Sequence, residues 1–210
     1  MSPAHTEPLS RCPWANRSEL EQHYHDQEWG IPLHDDQRLF EFLILEGAQA
    51  GLSWVTILRK REAYRAAFDQ FDPIRVSEYG EADMADLLAN PALVRNRLKM
   101  KSAVQNARAF RQIQEIWGSF DAYLWQFVDF QPRINVWPDQ ADMPASTPES
   151  DRLSKDLKSR GFSFVGSIIC YSFMQAVGMV SDHTADCFRN QVLQDKLDTN
   201  QQQQAGQNRA

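Results

Sequence analysis

Cysteine is scarce in this chain. The three among 210 residues, Cys12, Cys170 and Cys187, are odd in number and too widely spaced to suggest a disulfide framework. No apolar run approaches the length that a membrane-crossing helix needs, and the opening "MSPAHTEPLSRCPW" lacks the apolar centre of a secretory signal. No internal repeat is visible, and few segments alternate with the two-residue period of a strand. These absences exclude a disulfide-stapled secreted scaffold, a membrane protein and a repeat array. They point to a reduced, cytoplasmic protein whose thiols are available for metal.

What is present fits an ordinary globular chain, with 42% hydrophobic and 24% charged residues, long enough for one compact domain or two lobes sharing a core. The net charge of −6 argues against a coat of basic residues. Its distribution is uneven, however. From Leu87 to Gln114 no acidic residue occurs, while Arg95, Arg97, Lys99, Lys101, Arg108 and Arg111 do. On a helix, Arg97, Lys101, Arg108 and Arg111 fall in one stripe opposite Ala103, Ala107 and Phe110. A solvated face and a phosphate-binding face are both open readings.

The pattern is almost entirely helical. Periodicity and caps predict helices over 19–27, 36–50, 53–70, 81–89, 97–117, 120–127, 150–159, 167–177 and 182–190, with Asp36 and Ser53 as N-caps. Residues 138–150, "PDQADMPASTPES", read as a loop between two helical lobes. The expected organisation is a flexible tail over 1–9, one folded domain over 10–192, and a disordered, low-complexity polar tail over 193–210.

Three stretches carry chemistry. In "SDHTADC", His183 and Cys187 stand four residues apart, a spacing that puts both on one face of a helix and within reach of one ion. A tetrahedral site needs two more ligands. Cys170 lies in the apolar "SIICYSFM" and reads as a buried thiol, whereas Cys12 and His25 sit at the far end of the chain, and spacing alone does not bring them together. In "LKSRGFSFVGSIICYSFMQAVG", two helices flank a short turn between Gly161 and Gly166, with Phe162, Phe164 and Val165 to pin it. Over 150–178 this resembles a helix-hairpin-helix, whose exposed N–H groups bind DNA phosphates without regard to sequence. An αα-hairpin packed in the core is the plainer alternative. In "LEGAQAGLSW", the carboxylate of Glu46 follows an apolar string and precedes a small-residue turn and Trp54. An exposed helix-end carboxylate is one reading, and a pocket for a flat cation the other.

Taken together, "RCPW", "YHDQEWG", "LFEFLILEGAQAGLSW", "ILRKREAYRAAF", "SRGFSFVGSIICYSFMQAVG" and "DHTADC" resemble the 3-methyladenine DNA glycosylase I family from about Arg11 to Cys187. The resemblance implies an all-α fold of the helix-hairpin-helix glycosylase class, with termini joined by one structural zinc ion. It implies hydrolytic removal of N3-methyladenine from double-stranded alkylated DNA by a monomer. Carried over by position, the zinc ligands are Cys12, His25, His183 and Cys187, with His23 as the lesser alternative to His25. Glu46 is the catalytic carboxylate that reads the flipped base, Tyr24 hydrogen-bonds to it and Trp54 stacks on it. Trp14 and Trp29 stand near the pocket, with core packing as an equal alternative. Gly51 and Leu52 face the damaged strand, where Leu52 either fills the gap in the stack or serves the core. Gly161, Gly166, Arg97 and Lys101 are the expected DNA contacts. No nucleophilic lysine follows the hairpin, which implies excision without strand cleavage. Asp182, near the place where related glycosylases carry a catalytic aspartate, is assigned to the metal end because it adjoins His183.

Overall fold

A computed structural model describes residues 9–190 of the chain. The expected tails, apart from residue 9, and residues 191–192 of the expected domain lie outside the described residues.

Helix starts are set by short polar side chains. Ser18 accepts from the Glu21 N–H to open α1 (Glu19–Gln27), and Asp35 accepts from the Arg38 N–H to open α2 (Asp36–Gln49). Asp36 is therefore the first helical residue, not the cap. Its carboxylate instead receives the backbone N–H groups of Phe120 and Asp121, at the start of α7 (Phe120–Trp125). Ser53 does cap α3 (Trp54–Ala67) by position, though its hydroxyl pairs with Thr56 and not with the backbone. Helix α3 stops short of residue 70 because Asp69, Gln70 and Phe71 take positive φ angles of 48°, 57° and 59°. A short α4 (Pro73–Ser77) that periodicity does not predict follows, with proline in its first turn. Helices α5 (Glu81–Ala89) and α6 (Arg97–Trp117) match the expected bounds, α6 beginning after Asn96 and ending at Gly118.

Helix α2 is the axis of the core. Leu39 to Ala48 are all buried, Glu41 and Glu46 among them, and Glu41 is paired with Arg61 and Arg65 of α3. It packs against α3, α6, α7 and α9 (Ser167–Ala176). Helix α8 (Pro148–Ser159) packs on α9 to form the predicted helical pair.

The predicted helix over 182–190 is wrong for most of its length. Residues 182–187 are extended or turn, and helical geometry begins only at residue 188. Two short parallel strands, β1 (Arg133–Ile134) and β2 (Val180–Ser181), pair with Arg133 opposite Val180, and a bridge between Trp137 and Thr184 continues them. Gly178 turns the chain into β2 at φ 70°, where a Cβ would lie 2.2 Å from the Ile31 carbonyl carbon, so no side chain fits there.

Candidate active site and metal centre

The four ligand atoms offered by Cys12, His25, His183 and Cys187 lie within 4.8 Å of one another, and all four residues are buried. Cys12 Sγ is 3.6 Å from His183 Nδ1, while Cys187 Sγ is 3.5 Å from the same nitrogen and 3.4 Å from His25 Nε2. A tetrahedron with legs of 2.0–2.3 Å has edges of about 3.5 Å, so these separations fit a four-coordinate metal. The expected helical turn is not what joins His183 to Cys187. The Cys187 N–H bonds to the Thr184 carbonyl in a turn held by the Trp137 bridge.

The surrounding groups prepare the donors. His25 Nδ1 is 2.8 Å from Asp26, which Arg11 clamps through two nitrogens, so Nε2 is the nitrogen free to ligate. Although burial opposes it, Arg11 and His25 hold the Asp26 carboxyl below its usual range. The Thr184 N–H lies 3.4 Å from Cys12 Sγ. The two thiols compete for one proton. Cys12 and the two imidazoles favour the Cys187 thiolate, and Cys12 is correspondingly pushed up. A divalent cation would take both as thiolates. His23 is exposed and outside this group, and Cys170 is buried and hydrogen-bonded to Val165.

One layer of aromatic side chains separates the metal group from a cavity of about 660 Å³. The Trp29 ring lies 4.7 Å from the His183 ring, and Trp14 lies 5.4 Å from His25 and 5.1 Å from Trp29. Both tryptophans therefore pack and line the cavity at once. Tyr24 and Trp54 form another part of the wall, their rings 5.2 Å apart. The Trp54 indole N–H is buried without a partner among the described residues.

Glu46 lines this cavity from the core-facing side of α2, only 4% exposed. No group among the described residues donates to its carboxylate. Burial alone pushes its pKa from 4.5 up to about 8. Burial, with Glu46 and Glu28 nearby, also holds the Tyr24 phenol far above its usual range. A buried carboxyl with no donor among the described residues, in a cavity lined by four aromatic rings, suits a flat cationic ligand.

Of the residues expected to contact DNA, only Gly51 and Leu52 adjoin residues of the cavity wall, and the hairpin glycines, Arg97 and Lys101 stand on other elements. Helix α2 ends where Lys99 donates to the Ala48 and Ala50 carbonyls, a role for that lysine not foreseen from the basic run. The turn that follows has Gly51 at φ 79° and leaves Leu52 exposed beside Gln49, Ser53 and Trp54 of the cavity wall. In the hairpin, Gly161 takes φ 91° as expected of a helix end, and Gly166 is the N-cap of α9. A Cβ on Gly166 would meet nothing within 4 Å, so its surface is open to an approaching ligand. Gln105 and Asn106 of α6 brace the hairpin through Gly161 and Ser163.

The basic stripe divides in two. Arg97 and Lys101 are exposed, but Arg108 donates to the Ser77 and Tyr79 carbonyls and Arg111 to the Ser77 hydroxyl. Those two arginines hold the C-terminal end of α4. Asp182 is fully buried and lines no part of the cavity. It accepts from Asn135, Trp137, Tyr171 and Gln175, which leaves it no capacity to activate water. Gln175 and Ser172 of α9 line the cavity too. The one signal for Gln175 in the sequence was a polar residue within "CYSFMQAVG".

Among the described residues, no helix is long and apolar enough to cross a membrane. The sequence profile of the methyladenine glycosylase family matches residues 14–190. The chain is 47% identical over 179 residues to the DNA-3-methyladenine glycosylase 1 of Escherichia coli K12, covering 85% of this chain and 96% of that one. A crystal structure of a 3-methyladenine DNA glycosylase I superimposes with a TM-score of 0.83 at 50% identity, over 85% of this chain and 98% of that one. Another, crystallised in complex with 3-methyladenine, gives 0.82 at 36% identity, over 85% of this chain and 96% of that one.

Proposed function

The chain belongs to the methyladenine glycosylase family, and on that premise we propose that it captures N3-methyladenine, flipped out of alkylated DNA, in the Glu46 cavity and excises it by hydrolysis. The observation that carries this reading is the isolated Glu46 carboxyl in an aromatic cavity. N3-methylation gives adenine in DNA a positive charge. An undamaged base is neutral and gains nothing from Glu46. The cation draws the carboxyl into its ionised form, and attraction in a dry site greatly exceeds that at a surface. Tyr24 and Trp54 hold the ring in place.

A cationic base is already a good leaving group. As the bond to the sugar lengthens, the base leaves with the electron pair as a neutral molecule. Water adds to the sugar carbon and gives up a proton. The positive charge moves off the base during this step, so Glu46 serves capture and discrimination more than the final bond breaking. No lysine forms a covalent sugar intermediate, and the strand stays intact.

The metal assigned to Cys12, His25, His183 and Cys187 is zinc, since two thiolates and two imidazoles make a closed tetrahedral set. Four protein ligands leave no position for an activated water, so the ion's chemistry is structural. The Leu52 turn, the hairpin from Gly161 to Gly166, and Arg97 with Lys101 contact double-stranded DNA, Leu52 filling the space of the flipped base. Pocket, hairpin and metal group all belong to one chain, which supports a monomer. None of the three cysteines is in a disulfide, which supports a reducing, cytoplasmic setting.

The test is release of free base from duplex DNA treated with a methylating agent, followed by chromatography. The protein should release N3-methyladenine and leave the backbone uncut. Release undiminished in Glu46→Ala would remove the cavity from the reaction.

A further inference from the structure

Gln175 stands between the lesion cavity and Asp182. Its Nε2 donates to Asp182 Oδ2 at 2.6 Å. Asp182 also takes the side-chain N–H groups of Asn135 and Trp137 at 2.8 and 2.7 Å and the hydroxyl of Tyr171. A carboxylate ringed by donors can only accept, so the amide nitrogen of Gln175 must face it. The carbonyl oxygen Oε1 is thereby the part of the amide left over, and no group among the described residues donates to it. Gln175 lines the cavity together with Glu46.

We propose that Gln175 Oε1 distinguishes adenine-type from guanine-type lesions in this cavity, with Asp182 as the positioning residue that fixes the amide. The inference rests on the excision reading above. N3-methyladenine carries an exocyclic amino group, a donor that an amide oxygen accepts. N3-methylguanine carries a carbonyl oxygen at the same ring position, and two acceptors facing one another repel. A freely rotating glutamine would accommodate both bases by turning its amide over. The Asp182 bond removes that freedom, so the cavity offers an acceptor at this point and not a donor.

The experiment measures single-turnover release of both bases from the same dimethyl sulfate-treated duplex. Gln175→Met keeps the side chain's length and leaves the Gly30 N–H bonded to the residue 175 carbonyl, but removes the amide. The expected result is a fall of about tenfold in the ratio of N3-methyladenine to N3-methylguanine release, through slower release of the adenine lesion. Asp182→Asn should shift the ratio in the same direction, because an amide partner lets Gln175 turn over. Loss of packing slows both bases together, so an unchanged ratio in Gln175→Met overturns the inference whatever happens to the rates. Release of neither base by the unaltered protein sinks the excision reading as well. Release of N3-methyladenine with a ratio indifferent to Gln175 sinks this inference alone.

Discussion

Replacing Glu46 by glutamine should make the protein more stable and less active, by amounts that depend on pH. In the unfolded chain the carboxyl titrates near 4.5, and burial raises it to about 8 in the folded protein. Between those values the native state holds a proton that the unfolded state has lost. Stability therefore falls as pH rises, by about 1.4 kcal/mol for each pH unit. At pH 5 the native carboxyl is neutral, and wild type and Glu46→Gln should unfold nearly alike. By pH 7 the variant should lead by roughly 3 kcal/mol, and by pH 8 by about 4 kcal/mol, since the amide carries no charge to desolvate. Urea unfolding of both proteins at pH 5, 6, 7 and 8 measures this, and all other titrating groups cancel in the difference. The same carboxyl should govern kcat/KM for the cationic lesion, which should rise toward pH 8 in the wild type. In Glu46→Gln it should be low and flat. A stability difference that does not change with pH would refute the reasoning, because the desolvated carboxyl would then not be the group responsible.

Three further outcomes follow from the geometry. Cys187→Ser should lose its zinc, read by elemental analysis, and unfold several kcal/mol more easily, because the metal ties chain segments more than 160 residues apart; undiminished stability in metal-free wild type would contradict this. Gly166→Leu should weaken binding to unrelated duplexes equally, measured by fluorescence anisotropy. At φ −64° with open space around its Cβ, the fold should tolerate the change. Arg97→Ala and Lys101→Ala should each lower the salt slope of DNA binding by about one, whereas Arg108→Ala should cost stability and leave the slope alone.

Local signals were enough wherever a helix was defined by its own ends. Helix α6 fits its expected bounds because Asn96 supplies the cap and Gly118 ends it at φ 83°. Residues 182–187 failed because their shape comes from pairing with residues some fifty positions earlier, and two-residue strands carry no period to read. The expected cap of α2 was Asp36, but Asp35 holds that position and the packing of α7 gives the Asp36 carboxylate other work. The acid-free run was legible as charge, but the use of Arg108 and Arg111 required α4, whose five residues are too few for periodicity to register. Glu46 stood out as a carboxylate after an apolar string, while its lack of donors among the described residues is a tertiary fact. The orientation of Gln175 depends wholly on Asp182 and could not be read locally.

A protein that works on methylated DNA meets the methylating agents themselves. Thiolates are the softest nucleophiles a chain offers to such reagents. Cys12, Cys170 and Cys187 are 0%, 1% and 1% exposed, so none presents its sulfur to solvent. Two are enclosed by the metal group and its aromatic wall, and burial pushes the third up to about 12, keeping it a thiol. The fold thus shields its own reactive sulfurs from the electrophiles that create its substrate.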